Sequence, residues 1–272
     1  MVLISKGISM SDTSDRELAE STEQDGIRIN RYIASSGYCS RRKADELVDC
    51  GAITVDNLPA VAGTRVLPDQ IVRINGKPIF PEDQQIYIAL HKPLGITCTT
   101  DLRDKDNIID YLGFEKRIFP IGRLDKMSTG LILLTNDGSI VNRLLRAEGK
   151  HEKEYRVEVD KPITEEFLKN MAQGVPILDT VTLPCRVIST GSHSFRIILT
   201  QGLNRQIRRM CEQLDYRVRR LKRTRILNID LGSLPIGEWR PLTFKELSDL
   251  KSLLDRPTSK VQKQRYHDTD DS

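Results

Sequence analysis

A twenty-residue stretch from Phe119 to Gly138 constrains the fold of this chain more than any other segment. It contains a polar loop followed by a short apolar run, 131–134, whose length and composition are typical of a buried strand. The run stops at Asn136-Asp-Gly138, residue types that tolerate the backbone of a tight turn. The loop carries one guanidinium, Arg123, and one carboxylate, Asp125. We therefore expect a polar loop supported by strands, which is a common setting for functional groups.

The order of residues in this stretch resembles a known catalytic loop. Gly-Arg-Leu-Asp125, followed by Ser-x-Gly-Leu-x-Leu-Leu-Thr-Asn-x-Gly138, is similar to the RsuA/RluB/RluE/RluF group of pseudouridine synthases, which carry an N-terminal S4 domain. A match in fixed spacing over about twenty residues is far more specific than a short motif. In an arbitrary chain, an Arg-x-Asp sequence would more often form a local cap or salt bridge. The resemblance implies instead that Asp125 is the catalytic aspartate.

Composition narrows the class of protein. At 272 residues, with 38% hydrophobic and 29% charged residues, the chain is long enough for two domains of a soluble protein. No apolar run approaches the ~20 residues that span a bilayer, and no signal-peptide core is present, so no membrane partner is expected. Five widely spaced cysteines without a Cys-x-x-Cys pair indicate reduced thiols in the cytoplasm. The four histidines lack metal-ligand spacing, so no metal site is expected.

The charge is distributed unevenly along the chain. Residues 1–25 carry two basic and six acidic side chains, a net charge of −4. Because the net charge of the whole chain is +4, the remaining residues carry a net charge of +8. We expect a disordered acidic leader at 1–25 and a basic body whose partner is a polyanion. The polar tail at 255–272 is also predicted to be disordered.

Residues 26–78 are predicted to form a small domain of two short helices followed by short strands. Three basic residues crowd the first turn of the second helix, after the candidate N-cap Ser40, although the helix dipole favours acidic residues there. Such a run is about as often a solvated face as a binding surface. The pattern Ser-Gly-x-x-Ser-Arg-Arg-x-Ala resembles the S4 RNA-binding domain. This resemblance implies RNA-backbone contacts by Arg28, Arg31, Arg41, Arg42 and Lys43.

A predicted linker at 79–85 leads to a second domain at 86–254. Mixed strands and helices without regular β-α-β alternation predict an α+β fold on a mixed, largely antiparallel sheet. The resemblance implies the same architecture for a pseudouridine-synthase catalytic domain. Among the predicted elements are a strand at Thr97–Thr100 and a last helix at about 243–254.

Two further segments of this domain are candidates for the site. Tyr155 begins a predicted strand, where a tyrosine is most often a core residue. The resemblance implies that Tyr155 stacks on the target uracil, an interaction worth ~1–3 kcal/mol. From Arg205 to Arg225 there are nine basic residues against two acidic ones, which is typical of a nucleic-acid footprint.

The helix predicted after Gly202 begins this basic segment. Helical spacing places its apolar residues against the core and its arginines towards the rim or cleft. The resemblance implies that Arg208 pairs with the catalytic aspartate and keeps it ionised. It also implies that Leu221 supports the pocket, although an ordinary core leucine is almost as common. The remaining candidate RNA-binding residues are Arg123, which would fill the space left by the extruded base, with Asn204, Arg205 and Arg209.

These residues permit a narrow range of chemistry. Isomerising uridine to pseudouridine breaks a glycosidic bond and re-forms it to carbon without a redox change, so no cofactor is expected. A single ionised aspartate can act on the sugar, on the base or through a glycal. One alternative is a non-catalytic S4-type RNA-binding or ribosome-assembly protein. Another is a nucleoside hydrolase or glycosylase, which usually needs a second acid or an activated water, commonly supplied by paired carboxylates.

Several segments look most like the RluF branch of the group, among them Gly-Val-Pro-Ile-Leu and Gly-Leu-Asn-Arg-Gln-Ile-Arg-Arg-Met. That likeness implies uridine 2604 of 23S rRNA as the target, with a tRNA anticodon uridine as a second candidate. The C-terminal tail lacks the lysine-rich extension that such chains can carry. A monomer is expected, because no apolar stripe indicates a partner helix.

Overall fold

A computed structural model describes residues 26–145 and 151–255. The chain divides into two compact units, residues 1–84 and 85–272. The acidic leader predicted at 1–25, and the predicted tail from residue 256 onwards, lie outside the described residues.

The first unit packs two short helices with short strands around a core of its own. The second helix begins after Ser40, whose side chain accepts a hydrogen bond from the backbone N–H of Lys43 at 3.2 Å, so the predicted N-cap is confirmed. The core is formed by residues such as Ile33, Ala44, Ile53 and Val72. The elements are β1 Ile27–Arg28, α1 Ile29–Ser35, α2 Arg41–Asp49, β2 Ile53–Val55, β3 Leu58–Pro59, β4 Arg65–Val66, β5 Val72–Ile74 and β6 Lys77–Ile79.

The second unit is built on a long sheet. Its strands are β7 Tyr87–Lys92, β8 Phe119–Ile121, β9 Thr129–Thr135, β10 Lys153–Val159, β11 Pro176–Ile177, β12 Thr180–Val181, β13 Arg186–Gly191, β14 Ser194–Leu199, β15 Val218–Ile226, β16 Ile229–Asp230 and β17 Trp239–Pro241. Within the described residues, nine of these form one sheet in the order β13-β14-β10-β15-β9-β7-β17, with β16 on β15 and β8 on β9. The pairs are antiparallel except β15 with β9. The predicted α+β fold on a mixed, largely antiparallel sheet is therefore confirmed.

The parallel pair places the central loop next to the basic segment. In its register, Gly130 of β9 lies opposite Arg223 of β15. Gly130 has a φ of +110°, and a Cβ added there would lie 2.2 Å from the carbonyl oxygen of Arg223. Only glycine permits this close approach of the two backbones. Gly130 thus allows β9 and β15 to pair closely beside the Asp125 loop.

Helices cover the sheet and complete three apolar clusters. Val157, Phe195 and Met210 belong to the cluster between β10, β14 and the two helices Glu165–Gln173 and Gln206–Gln213. The other two clusters lie around β7 and β9. The helices of this unit are α3 Ile108–Leu112, α4 Gly138–Leu145, α5 Glu165–Gln173, α6 Gln206–Gln213 and α7 Phe244–Asp255.

The strand predicted at Thr97–Thr100 is wrong. The segment makes only an isolated bridge from Thr97 to Asn107 and otherwise runs as a loop. Its threonines favour extended backbone, but Cys98 is drawn into the core, where its sulfur accepts a hydrogen bond from the N–H of Leu124 at 3.3 Å. The segment therefore supports the central loop instead of extending the sheet.

Candidate active site

The loop between β8 and β9 is fixed by backbone contacts on both sides of Asp125. The N–H of Leu124 donates to the Cys98 sulfur, and the carbonyl of Asp125 accepts a hydrogen bond from the N–H of Ser128 at 3.0 Å. The carbonyl of Lys126 accepts another from the N–H of Gly95, also at 3.0 Å. The carboxylate of Asp125 is consequently presented from a loop with little freedom to move.

Asp125 opens onto a cavity of about 670 Å³ in the second unit. This volume lies within the range of small-molecule sites and is sufficient for a nucleoside-sized group. Six of the lining residues bear on the chemistry, and they come from the Asp125 loop, β10, β15 and the turn before α6: Arg123, Asp125, Tyr155, Arg205, Leu221 and Arg223.

Arg208 lies beside the carboxylate but contacts the loop backbone more closely. Its Nε is 3.9 Å from Oδ2 of Asp125, which is an ion-pair distance and too long for a hydrogen bond. Its Nη2 donates to the carbonyl of Met127 at 2.6 Å, and Nη1 donates to the carbonyl of Val218 at 3.3 Å. Burial lowers the pKa of the Arg208 guanidinium, and the charge of Arg205 adds to the effect. The guanidinium therefore links the loop to β15 and faces Asp125 at the same time.

Tyr155 and Leu221 form part of the apolar wall. Tyr155 is half-buried and packs against two of the apolar clusters, while Leu221 is buried and belongs to one of them. Both also line the cavity. The two interpretations offered by the sequence, core residue and pocket residue, thus apply to the same side chains.

The predicted RNA-binding residues fall into two groups. Arg123, Asn204 and Arg205 line the cavity, and Arg209 donates to the carbonyl of Asn204 at 3.1 Å through Nε. The others are exposed in the first unit: Arg28, Arg31, Arg41, Arg42 and Lys43. The cavity lies wholly in the second unit, so the second group takes no part in its lining.

Comparison with known proteins decides the family. The family model for RNA pseudouridylate synthase matches residues 86–213. The dual-specificity RNA pseudouridine synthase RluF of Escherichia coli (strain K12) is 52% identical over 237 residues, covering 86% of this chain and 82% of that protein. The chain belongs to the RNA pseudouridine synthase family.

Two more relatives agree with this assignment. Ribosomal large subunit pseudouridine synthase B of Vibrio vulnificus (strain CMCP6) is 33% identical over 241 residues, covering 84% of this chain and 75% of that protein. A crystal structure of a pseudouridylate synthase matches with a TM-score of 0.60 and 25% identity, covering 84% of this chain and 100% of that one. The protein is thus an RNA pseudouridine synthase, an isomerase, as the resemblance implied.

Sequence reasoning missed two buried cations of this pseudouridine synthase. Arg223 donates from Nε to the carbonyl of Leu131 at 2.7 Å and from Nη1 to that of Arg123 at 3.4 Å. Lys92 is fully buried, and its Nζ donates to the carbonyls of Pro93 at 2.7 Å and Lys126 at 3.4 Å. Burial lowers the pKa of the Lys92 ammonium, and the charge of Arg223 contributes in the same direction. Both side chains hold carbonyls of the Asp125 loop.

The described residues contain neither a membrane-spanning helix nor a cluster of metal ligands. Within residues 26–145 and 151–255, no helix is both long and apolar enough to cross a membrane. Over the same ranges, no group of three or more metal-ligating side chains comes together.

Proposed function

We propose that this pseudouridine synthase isomerises a uridine of 23S rRNA and that Asp125 is its catalytic carboxylate. The observation that carries the proposal is the position of Asp125. Among the described residues that line the cavity, Asp125 is the only acidic one. The reaction needs one such group, whereas glycoside hydrolysis commonly uses a pair of carboxylates.

The isomerisation itself requires few groups. The N1–C1′ bond of the uridine breaks, the uracil rotates, and a C5–C1′ bond forms. The C5 proton leaves to water, and N1 takes up a proton from water. Atoms and electrons balance without a redox step, so the proposed reaction uses no cofactor. The carboxylate of Asp125 acts as the nucleophile or base in this sequence.

The neighbouring residues would orient both partners. Arg208, held at the Met127 and Val218 carbonyls, would orient the carboxylate of Asp125. Tyr155 would stack on the uracil from the cavity wall. Arg123, exposed on the loop, would occupy the place in the RNA that the extruded base leaves.

Binding would come from basic residues in both units. The first unit is proposed to be an S4-like domain that contacts the RNA backbone through Arg28, Arg31, Arg41, Arg42 and Lys43. In the second unit, the corresponding contacts are assigned to Asn204, Arg205 and Arg209. An RNA substrate and five free cysteines support a cytoplasmic location, and we propose that the protein acts as a monomer.

The target is proposed from similarity. The sequence resemblance to RluF-type chains implies uridine 2604 of 23S rRNA, and the RluF relative is 52% identical to this chain. The name of that relative contains the words "dual-specificity", which supports testing a second RNA. The resemblance implies a tRNA anticodon uridine as that second candidate.

The proposal is tested by mapping pseudouridine in RNA. Unmodified 23S rRNA and unmodified tRNA are incubated with wild type, with Asp125→Asn, or with the control Asp179→Asn. Asp179 is exposed and already has a φ of +59°, which asparagine tolerates. Carbodiimide adducts are then read by primer extension.

We expect a stop at uridine 2604 with wild type and with Asp179→Asn, but none with Asp125→Asn. Stops at another uridine only would overturn the proposed target. An equal stop with Asp125→Asn would overturn the role of Asp125.

A further inference from the structure

The sheet carries a row of cations on the side opposite the cavity. In the strand register, Arg196 of β14 lies opposite Arg156 of β10, and Arg156 lies opposite Lys222 of β15. Adjacent strands are about 4.8 Å apart, so three positive charges stand side by side across three strands. Like charges directly opposite each other destabilise a sheet. The arrangement therefore needs an explanation outside the stability of the fold.

Strand alternation places this row on the reverse of the cavity wall. Tyr155 opposite Arg223 and Val157 opposite Leu221 flank the pair formed by Arg156 and Lys222. Tyr155, Arg223 and Leu221 line the cavity. Since successive side chains of a strand point to opposite faces, Arg156 and Lys222 point away from it.

The same face has a large excess of positive charge. We name it the basic sheet face, formed by Arg156, Arg186, Arg196, Arg220 and Lys222. The registers place two carboxylates there, Glu154 and Glu158.

These two carboxylates are already engaged. Glu158 lies 3.4 Å from Arg220, and Glu154 is shared between Arg196 at 3.7 Å and Arg225 at 3.4 Å. Among the described residues, none makes a hydrogen bond or ion pair with the side chains of Arg156, Arg186 or Lys222. Arg156 and Arg186 are exposed, so both can meet a partner from solution. The face therefore has cations available to an anionic ligand.

We propose that the basic sheet face is a second RNA-binding surface, which contacts phosphates of the substrate RNA away from the target uridine. The inference rests on the proposed function for the identity of that RNA. Charge complementarity identifies the ligand, because cations in a row match the repeated charge of a phosphodiester backbone. The contacts would add affinity for long RNA without taking part in the isomerisation.

An RNA fits this face better than an acidic protein does. Protein interfaces have a core in which charged residues are depleted and aromatic residues enriched. Among the described residues of these rows, the only apolar side chains are Ile188 of β13 and Ile198 of β14. Phosphate binding needs no apolar core.

The test removes two of these cations and varies the RNA. The double variant Arg156→Gln/Lys222→Gln is compared with wild type and with the control Lys105→Gln/Lys169→Gln, which removes two exposed charges elsewhere. Binding is measured against salt for full-length unmodified 23S rRNA and for a stem-loop just large enough to present the target uridine. Pseudouridine yield on the stem-loop is measured in parallel.

We expect the double variant to bind full-length RNA about fivefold or more weakly than wild type. The slope of log affinity against log salt concentration should be smaller in magnitude by about 1.4 to 1.8, because each lost phosphate contact reduces that slope by ~0.7–0.9. Binding and yield on the stem-loop should match wild type. The midpoint temperature of unfolding should stay the same or rise, since a like-charge pair is removed. A lower midpoint would mean that these cations serve the fold, which would overturn the proposal.

Other outcomes separate this proposal from the proposed function. An affinity and salt slope equal to the control, with normal pseudouridine yield, would overturn the surface alone. Weaker binding of the double variant, with no pseudouridine formed by wild type, would support the surface while the proposed target fails. Weaker binding to a ribosomal precursor particle but not to naked RNA would overturn the RNA assignment in favour of an acidic protein.

Discussion

At the scale of single residues, the site depends on how firmly the Asp125 loop is held. Arg208 contacts the Met127 carbonyl at 2.6 Å but lies 3.9 Å from the carboxylate. Arg208 therefore orients the loop through hydrogen bonds as well as placing a positive charge near Asp125. Lysine keeps the charge but cannot reach several carbonyls from one planar group.

We predict that Arg208→Lys lowers kcat about 10- to 100-fold, the equivalent of one hydrogen bond to a charged group at ~1.5–3 kcal/mol. The control is Arg103→Lys, at an exposed surface pair, which should leave kcat within about twofold. Single-turnover rates on a stem-loop substrate provide the measurement. Equal rates for the two variants would contradict an orienting role for Arg208.

Gly130 gives a second prediction at this scale. Alanine there would combine a strained φ of +110° with a Cβ 2.2 Å from the Arg223 carbonyl oxygen. We expect Gly130→Ala to lower the free energy of unfolding by about 3 kcal/mol or more. Gly95→Ala is the control for strain alone, because its φ is +83° and no atom lies within 4 Å of the added Cβ. Gly95→Ala should lower the free energy of unfolding by about 1–2 kcal/mol. Denaturant titration measures both free energies of unfolding. An equal decrease for Gly130→Ala and Gly95→Ala would contradict a role for the close approach of Gly130 to the Arg223 backbone.

The sequence predicted part of this residue-level picture. Asp125 could be selected from its place in the motif and Tyr155 from the family resemblance, and both line the cavity. Lys92 could not, because a lysine ending an apolar strand is ordinarily exposed. Arg223 was one of nine basic residues in a segment, and only the parallel register reveals that it is buried against the loop.

At the scale of elements, the start of α7 shows how local contacts fix one edge of the second unit. Glu246 accepts from the N–H of Thr243 at 2.8 Å, and the Thr243 hydroxyl accepts from the N–H of Glu246 at 3.2 Å, forming a capping box. Arg240 of β17 donates two hydrogen bonds of 2.7 Å to the same carboxylate. The helix start is thereby joined to the edge strand.

The Arg240 guanidinium holds the pKa of Glu246 at about 2, against an ordinary value of 4.5. Since the folded-state pKa is depressed, this pair stabilises the fold above pH ~4.5, and its contribution is lost as the pH falls towards 2. We predict that Glu246→Gln lowers the free energy of unfolding by about 1 kcal/mol at pH 7. The difference from wild type should shrink through this acidic window.

Chemical unfolding at a series of pH values measures this difference. Glu238→Gln, at an exposed carboxylate, is the control and should stay within about 0.5 kcal/mol of wild type. If the free energies of unfolding of wild type and Glu246→Gln differ by a constant amount from pH 7 to pH 2, the stabilising ion pair of Glu246 with Arg240 is contradicted.

Prediction from sequence succeeded for elements with strong local signals and failed where tertiary pairing decides. Helix α2, with its Ser40 cap, and the final helix are present as predicted. The parallel pairing of β9 with β15 has no local signature, because it joins segments almost a hundred residues apart. Thr97–Thr100 has β-forming residues, yet packing of Cys98 against the loop prevails.

At the scale of the whole molecule, each unit has an apolar core of its own. The cavity is built entirely from residues of the second unit. Units with separate cores can fold independently. The α+β class was predictable because the order of predicted elements lacks β-α-β repeats. The assembly of the site could not be predicted, because it depends on the order of the strands in the sheet.

We predict that a chain of residues 85–272 unfolds cooperatively and modifies a stem-loop substrate within about threefold of the full-length rate, since the cavity is intact. Its affinity for 23S rRNA should fall about tenfold or more, because the proposed backbone contacts of the first unit are lost. Calorimetry and filter binding provide the two measurements. Full affinity without the first unit would contradict an RNA-binding role for that unit.

The most direct test of the central claim is release of tritium from RNA labelled at C5 of uridine, since the isomerisation replaces the C5–H bond with the glycosidic bond. Wild type and Asp179→Asn should release tritium at the same rate. Asp125→Asn should release none, while binding the RNA with affinity similar to wild type. Tritium release by Asp125→Asn at an appreciable fraction of the wild-type rate would contradict the assignment of Asp125 as the catalytic carboxylate.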